Sequence, residues 1–215
     1  MKPDYSLYLI FDPSAFPQEQ IKLFLTEAIL GGVSIVQLRM KHAAHEELLA
    51  WGKSIKTILD RYHIPLIIND NVLAAKQIQA HGAHIGQNDM PYHEARAILG
   101  PDACIGLSVG SIQEASAALH LDADYLGIGP VFATATKLDT PFPIGCEVIS
   151  QVRRMTGKPL IAIGGLNANN IGQVMSLGVD GIALASALHC PQPRSMAGRL
   201  KQLILEAKND MHTRS

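Results

Sequence analysis

The chain has 215 residues, 47% of them hydrophobic and 17% charged, which is typical of a globular protein with a sizeable buried core. Its formal net charge of -1 argues against a basic face for nucleic acid or an anionic membrane, and no apolar stretch approaches the ~18 residues needed to span a bilayer. Cys104, Cys146 and Cys190 show no C-x-x-C spacing, which indicates reduced thiols. We expect one domain over residues 1–215, in the cytoplasm, with neither nucleic acid nor membrane as a partner.

Short apolar runs alternate along the chain with longer segments of helical period. The runs are almost continuously apolar, as expected for parallel strands that are covered on both faces. The predicted strands are 7–12, 34–40, 65–70, 83–87, 103–109, 125–132, 159–165 and 181–188. Helical segments follow the strands, and the clearest are 18–32, 45–63 and 195–209.

Eight β-then-α units predict an α/β protein built as a single (β/α)8 TIM barrel. A weak internal repeat supports this prediction, because a turn-forming glycine precedes the next apolar run in "GGVSIVQL", "HGAHIGQ" and "LGVDGIAL". An open doubly wound sheet is the alternative, but no G-x-G-x-x-G follows the first strand. In a barrel, the chemistry belongs at the C-terminal ends of the strands, so the polar residues there are the candidate site.

The second predicted strand ends in "QLRMK", which alternates Gln37, Arg39 and Lys41 with apolar neighbours. In an extended segment these three side chains share one face. A guanidinium fork and an ammonium group suit a diphosphate, and a glutamine amide can bind the edge of a heterocycle. The alternative is a solvated strand end, with the two cations exposed.

Acidic residues end the next two strands. Asn69 and Asp70 follow the third apolar run, and Asp89 follows the fourth. Because neighbouring strands end at the same rim, the two carboxylates could converge on Mg²⁺, which takes one or two carboxylates together with water and substrate phosphate oxygens. The alternative is that each aspartate caps the helix that follows it.

The fifth and sixth strands are followed by hydroxyl-bearing residues. Ser108 ends the fifth strand, and Ser111 is an alternative signal for the cap of the next helix. Loop 132–145 is long, as loops that close over ligands often are. Its candidate ligand-binding side chains are Thr134, Thr136 and Lys137. An ordinary surface loop is the alternative reading of this segment.

The seventh and eighth strands end where many barrels bind phosphate through backbone N–H groups. Gly164 and Gly165 lie in "IGGLNANN", where the absence of side chains lets the backbone approach an anion, and Ser186 lies in "ASAL". A tight turn capped by Asn167 is the alternative for the glycine pair. His81 and His84 have no third metal ligand nearby in the sequence, and we interpret them as surface or packing residues.

Taken together, these strand ends resemble the thiamine phosphate synthase family along nearly the whole chain. The resemblance rests on "QLRMK", "IND" followed by "GAHIGQND", "IGLS", "GIGPVFATATKLD", "AIGGLNANN" and "GVDGIALASAL". It implies a (β/α)8 barrel that joins 4-amino-2-methyl-5-hydroxymethylpyrimidine diphosphate to a thiazole phosphate. The implied products are thiamine phosphate and diphosphate, the implied cofactor is Mg²⁺, and the implied partners are these small-molecule substrates.

The resemblance also implies a role for each matching residue. Gln37 would read the aminopyrimidine, and Ser108 would contact it near the reacting carbon. The diphosphate would be held by Arg39, Lys41, Asn69 and Lys137, and Mg²⁺ by Asp70 and Asp89. The thiazole and its phosphate would be bound by Thr134, Thr136, Gly165, Ala185 and Ser186, the last three through backbone N–H groups. The implied catalytic residues are Arg39, Lys41, Ser108 and Lys137.

The chain departs from the family pattern after "GLS", where the family usually has a small residue and a histidine. Val109 and Gly110 stand there instead, so any contact of that histidine is absent. Two alternatives remain open, namely a thiazole tautomerase on the same fold and a noncatalytic binder of a phosphorylated ligand. A tautomerase needs neither a metal nor a diphosphate clamp. The presence together of Gln37, Arg39, Lys41, Asp70 and Asp89 therefore argues against it.

Overall fold

The computed structural model describes residues 3–134 and 142–213. Eight parallel strands form a closed barrel in sequence order, with β8 pairing with β1. The strands are β1 (Leu7–Phe11), β2 (Ile35–Leu38), β3 (Leu66–Asn69), β4 (Gly82–Ile85), β5 (Cys104–Val109), β6 (Tyr125–Ile128), β7 (Leu160–Ile163) and β8 (Gly181–Leu184). The helices are α1 (Gln18–Leu30), α2 (His45–Asp60), α3 (Val72–Ile78), α4 (Tyr92–Leu99), α5 (Ile112–Leu119), α6 (Gly145–Met155), α7 (Ile171–Met175) and α8 (Pro193–His212).

The predicted TIM barrel is therefore confirmed, and most of the strands are shorter than the apolar runs that predicted them. β2 ends at Leu38, which pairs with Phe11 and Ile68 at the last rungs of its two ladders. Arg39 and Lys41 consequently lie in the loop after the strand. The predicted strand 181–188 was wrong in its second half, since Ser186–Leu188 forms a short 3₁₀ helix.

Along each strand, successive side chains point alternately toward the helices and toward the barrel interior. In β1, Leu9 and Phe11 belong to the core between strands and helices, whereas Tyr8 and Ile10 belong to a second cluster inside the barrel. The interior of a TIM barrel is filled by such side chains and is not a pore. Reactions must therefore take place at a rim, with the interior side chains as its floor.

The helices cover the outside of the barrel with one apolar face each. In α1 the buried residues are Ile21, Phe24, Leu25, Ala28 and Ile29, which recur at spacings of three and four. Charged residues such as Glu19 fall on the opposite face, so the helix packs on the strands and exposes its polar side to water. Within the described residues, no helix is long and apolar enough to cross a membrane.

An arginine of α4 binds the loop between α4 and β5 at the N-terminal face of the barrel. Its guanidinium donates to the carbonyl oxygen of Ala103 at 2.6 Å and forms an ion pair with Asp124 at 3.0 Å. Asp124 also accepts the N–H of Ile105 at 2.8 Å. Arg96 therefore ties the start of β5 to the residue that precedes β6.

The same arrangement recurs two strands further along. Arg153 of α6 donates to the carbonyl oxygen of Lys158 at 3.0 Å and pairs with Asp180 at 2.9 Å, and Asp180 accepts the N–H of Leu160 at 2.8 Å. We call the two arrangements the Arg–Asp braces. Both join neighbouring strands at the end of the barrel opposite to the rim that carries the polar strand ends.

We expect Asp124→Ala to lower the free energy of unfolding by about 1–3 kcal/mol, because it removes the acceptor of the Ile105 N–H and the carboxylate that pairs with Nη2 of Arg96. Urea unfolding followed by circular dichroism measures this change. Asp122→Ala is the matched control, since the Asp122 side chain is fully exposed at the same face. Equal urea midpoints for the two variants would show that the brace contributes nothing to stability.

Candidate active site

A pocket of about 230 Å³ lies at the C-terminal end of the barrel. Seven of the residues selected from the sequence line it, namely Gln37, Arg39, Lys41, Asn69, Asp70, Asp89 and Ser108. They come from the ends of four consecutive strands, β2 to β5, or from the loops that follow them. The structure thus brings together the polar strand ends of one half of the barrel.

Neither aspartate of this pocket caps a helix through its side chain. The N-cap of α3 is Asn71, whose side chain accepts the N–H of Ala74 at 2.9 Å, and the N-cap of α4 is Pro91. Asp70 has a φ of 60°, which ends β3 one residue before the cap. Asp89 instead accepts the N–H of Gly86 at 2.6 Å. The capping alternative is therefore wrong for both acids.

The Asp89 carboxyl group lies close enough to Asp70 to affect the ionisation of Asp70. The pKa of Asp70 is raised to about 6, first by burial and then by the hydrogen bond and the negative charge of Asp89. Lys41 lowers this pKa only in part, since its Nζ stays 4.0 Å from the Asp70 carboxylate. The positive charge of Lys41 therefore compensates the Asp70 carboxylate only in part.

The donor set fits a hard divalent cation that retains some of its water. Among the described residues, no three His, Cys, Asp or Glu side chains form a metal-binding cluster. Mg²⁺ does not require one, because it commonly binds through one or two carboxylates and fills its octahedron with water and phosphate oxygens. The pair formed by Asp70 and Asp89 meets that requirement.

Arg39 presents an unsatisfied donor at the same site. Its Nε is buried and has no hydrogen-bond partner among the described residues, whereas its backbone N–H donates to the carbonyl oxygen of Phe11 at 2.9 Å. Burying an unpaired donor costs free energy, so a hydrogen-bond partner such as a water molecule, an ion or a ligand is expected at this Nε. Together with Lys41, the Arg39 guanidinium suits an anion with several oxygens.

A chain of five hydrogen-bonded side chains, which we call the relay, forms the floor of the pocket. Gln37 Nε2 donates to the Tyr8 hydroxyl at 3.0 Å, and this hydroxyl lies 2.8 Å from that of Tyr125. His84 joins the Tyr125 hydroxyl through Nδ1 at 3.0 Å and Ser108 Oγ through Nε2 at 2.8 Å. The relay connects five different strands across the barrel interior.

Of the two interpretations of His84, the surface one is wrong, whereas its ring does pack on that of Tyr125 at 5.4 Å while also joining the relay. Ala83 and Ile85 face the helices, so His84 between them faces the interior. A Cβ at Gly127 would lie 2.9 Å from His84 Cε1, which shows that the glycine makes room for the imidazole ring. His81 does lie near the surface, where Nδ1 accepts the N–H of Leu66.

Ser108 is available to the pocket because another serine caps the following helix. Ser111 accepts the N–H of Glu114 at 3.1 Å and is the N-cap of α5. Gly110, which stands where the family usually has a histidine, donates its N–H to the Glu114 carboxylate at 2.7 Å. That position thus contributes only backbone to the loop.

The remaining predicted residues that the structure describes do not line this pocket. Four of them lie elsewhere after the later strands, namely Thr134, Gly165, Ala185 and Ser186. Thr136 and Lys137 lie outside the described residues. The strands that carry these residues still reach the pocket, since Gly127 of β6, Ile163 of β7 and Ala183 of β8 are among its lining residues.

The turn after β7 contains a glycine, Gly165, that packs closely against the loop after β6. Gly165 has a φ of +66°, and a Cβ there would lie 2.6 Å from the carbonyl oxygen of Ala133. The Asn170 amide donates to the Gly165 carbonyl oxygen at 2.9 Å, and the Asn167 side chain accepts the N–H of Asn169 at 2.9 Å. The tight turn proposed as an alternative is therefore present, and it fixes the glycine backbone at the rim.

Comparisons with known proteins agree with this architecture. A family model described as thiamine monophosphate synthase matches residues 7–188. A thiamine-phosphate synthase of Clostridium botulinum (strain 657 / Type Ba4) is 43% identical over 188 residues, which are 87% of this chain and 92% of the relative. A thiamine-phosphate synthase of Albidiferax ferrireducens is 42% identical over 199 residues, covering 92% and 91%. A solved thiamine phosphate pyrophosphorylase from Pyrococcus furiosus superposes with a TM-score of 0.85 at 33% identity, covering 95% of this chain and 97% of the other.

Proposed function

This chain belongs to the thiamine monophosphate synthase family, a family of transferases in thiamine biosynthesis, and we propose how its pocket carries out the reaction. The pocket binds the aminopyrimidine diphosphate, and a thiazole phosphate attacks the methylene carbon of that substrate. The C–O bond to the diphosphate breaks, and a C–N bond to the thiazole forms. The products are thiamine phosphate and diphosphate.

The observation that carries this proposal is the meeting of two kinds of group in one pocket. Arg39 and Lys41 supply positive charge for the diphosphate, and the buried Nε of Arg39 has no partner of its own. Gln37 and Ser108 supply polar atoms for a heterocycle on the floor of the same pocket. A tautomerase has no use for a diphosphate clamp, so these residues favour a synthase.

In this proposal, departure of the diphosphate is the difficult step. The electron-rich aminopyrimidine stabilises a cationic methylene, while negative charge builds up on the leaving oxygens. Arg39 and Lys41 face those oxygens, and a preorganised group of this kind is worth roughly 2.7–4 kcal/mol. Asn69 donates an amide hydrogen bond to the same anion. No side chain has to act as a general base.

Asp70 and Asp89 are the residues that would hold Mg²⁺. When bound, the ion would neutralise charge on the diphosphate. The support for this assignment is the effect of Asp89 on the pKa of Asp70 and the long 4.0 Å contact of Asp70 with Lys41, which compensates its charge only in part. Lys41 would then be released from its long contact with Asp70 to serve the substrate.

The thiazole phosphate is assigned to the second half of the rim. The phosphate of this substrate would accept hydrogen bonds from the backbone N–H groups of Gly165, Ala185 and Ser186. Thr134 would contact the thiazole ring. The glycine turn at Gly165 and the start of the 3₁₀ helix at Ala185 support this assignment, because they place backbone directly after β7 and β8, at the same rim as the pocket. Thr136 and Lys137 keep the roles that the family resemblance implies.

The direct test is to incubate the purified protein with both substrates and Mg²⁺ and to measure thiamine phosphate and diphosphate. Formation of both products in equal amounts, and its loss in EDTA, is the expected result. Isomerisation of a thiazole phosphate alone, without Mg²⁺, would identify a tautomerase instead. Tight binding without any release of diphosphate would identify a noncatalytic binder.

We expect Gly165→Ala to raise the KM for the thiazole phosphate by about tenfold or more, the equivalent of one lost phosphate hydrogen bond. The added Cβ would collide with the Ala133 carbonyl and displace the turn. The KM for the pyrimidine diphosphate should change by less than about twofold, since the turn is outside its pocket. Gly157→Ala is the matched control, because that glycine has open space around it. Equal effects on both substrates would contradict the assignment.

A further inference from the structure

The relay has a defined direction in this structure because the Gln37 amide turns its nitrogen, and not its oxygen, toward Tyr8. Gln37 Nε2 carries hydrogens and no lone pair, so the Tyr8 oxygen accepts from it. The hydroxyl hydrogen of Tyr8 is then available to the Tyr125 oxygen, 2.8 Å away. Tyr125 in turn donates to Nδ1 of His84, and the proton of the neutral imidazole is left on Nε2, facing Ser108.

With the Gln37 nitrogen on Tyr8, the opposite direction fails at Tyr8, since it would need the Gln37 amide oxygen in that place. If His84 donated to Tyr125 and Tyr125 to Tyr8, the Tyr8 oxygen would accept two hydrogen bonds, and its own hydrogen would need a third partner. Among the described residues, the Tyr8 hydroxyl bonds only to Gln37 and Tyr125. Tyr8 is buried, so water does not replace the missing acceptor. An unsatisfied buried hydroxyl is costly, and the first direction is therefore favoured.

Both tyrosines remain protonated under ordinary conditions. Burial raises the pKa of Tyr8 and of Tyr125 well above the usual value of 10.0. Each therefore acts as a neutral hydroxyl that accepts one hydrogen bond and donates one.

The direction of the relay determines what its two ends offer to a ligand. Gln37 binds Tyr8 through nitrogen, so its amide oxygen is the atom left for the pocket, where no described residue hydrogen-bonds to it. Ser108 accepts from His84, so its own hydroxyl hydrogen is left for the pocket. The site therefore presents an acceptor at Gln37 and a donor at Ser108.

We infer that Tyr8, Tyr125 and His84 are positioning residues that select an amino-substituted pyrimidine over its 4-oxo counterpart. This inference rests on the proposed function. An amino group donates to the Gln37 amide oxygen, whereas a 4-oxo group places a second acceptor against it. Selection comes from the fixed orientation of the Gln37 amide, because a free amide would rotate and bind either ring.

The test compares dissociation constants for the monophosphate esters of the aminopyrimidine and of its 4-oxo counterpart, neither of which has the diphosphate leaving group. We expect the unsubstituted protein to prefer the amino ring by about 100-fold or more. Tyr8→Phe releases the Gln37 amide and should reduce this ratio by at least about tenfold. A ratio that Tyr8→Phe leaves unchanged would overturn the inference, as would an absence of preference in the unsubstituted protein.

Tyr5→Phe is the matched control. Tyr5 is also buried inside the barrel, and its ring packs against that of Tyr125 at 5.0 Å, but its hydroxyl bonds to Cys104 Sγ outside the relay. It should leave the ratio unchanged. If both variants reduced the ratio equally, loosened packing would be the cause and the relay would be rejected.

A second measurement uses the unsubstituted protein and does not depend on any variant folding. Nitrogen-15 spectra of histidine-labelled protein, with His84 assigned by its contacts to the Tyr125 ring, report which ring nitrogen carries the proton. A proton on Nε2 is expected, and a proton on Nδ1 would overturn the inference. Failure of the proposed function is distinguishable, because it would appear as no thiamine phosphate from the same preparation, whatever the tautomer or the binding ratio.

Discussion

Asp70→Asn is expected to lower kcat/KM by about 10³-fold or more while leaving the protein folded. The substitution keeps the shape of the side chain and removes the negative charge that would hold Mg²⁺. Steady-state assays with varied Mg²⁺ measure the loss, and excess Mg²⁺ should restore little of the activity. Asp122→Asn, at an exposed position on the opposite face, should behave like the unsubstituted protein.

The same variant has an expected signature in stability. Because burial and Asp89 raise the pKa of Asp70 above its usual 3.8, the ionised carboxylate destabilises the metal-free fold above about pH 6. In EDTA at neutral pH, Asp70→Asn should therefore unfold at the same or a higher urea concentration. The difference should shrink as the pH falls through about 6 toward 3.8, where the carboxyl takes up its proton. A clear loss of stability at neutral pH would mean that Asp70 has a structural role.

Arg39→Met is expected to lower kcat/KM by about 10³-fold, because it removes the guanidinium assigned to the leaving diphosphate. Arg39→Lys keeps the charge but loses the planar fork, so a smaller loss of about 10–100-fold is expected. Initial rates of diphosphate release over a range of pyrimidine diphosphate concentrations distinguish lost binding from lost catalysis. Arg154→Met, which removes an exposed arginine of α6, is the control.

Urea unfolding of Arg39→Met tests whether Arg39 serves the reaction or the stability of the fold. The buried Nε of Arg39 has no partner, so its removal deletes an unsatisfied donor and no described hydrogen bond of the side chain. Arg39→Met should therefore unfold at a similar urea concentration to the unsubstituted protein. Normal activity in Arg39→Met would contradict the diphosphate assignment directly.

The rim could be predicted from the sequence because two simple rules act there. Eight apolar runs with helical segments between them predict the barrel, and a barrel places polar strand ends at one rim. Gln37, Asp70 and Asp89 were selected on that basis, and all three line the pocket. The choice between metal ligand and helix cap was not decided by the sequence, since an aspartate after a strand suits both. Asn71 decides it by capping α3 itself.

The floor of the pocket could not be predicted in the same way. Strands of a closed parallel barrel are apolar on both faces, so the alternation that tells inward from outward positions is nearly absent. Tyr8 sits in an apolar run and looks like core, and His84 looks like one of nine scattered histidines. Their common direction follows only from the register of β1 and β4.

The two Arg–Asp braces have a consequence for how this protein can change over time. They join the strands at the N-terminal face of the barrel, opposite to the rim that carries the candidate site. Loops at that rim can therefore accept substitutions without loosening the barrel. Evolutionary drift, or a laboratory library directed at those loops, should therefore yield mostly folded proteins with altered substrate ranges. Libraries directed at Arg96, Asp124, Arg153 and Asp180 should instead yield mostly insoluble ones.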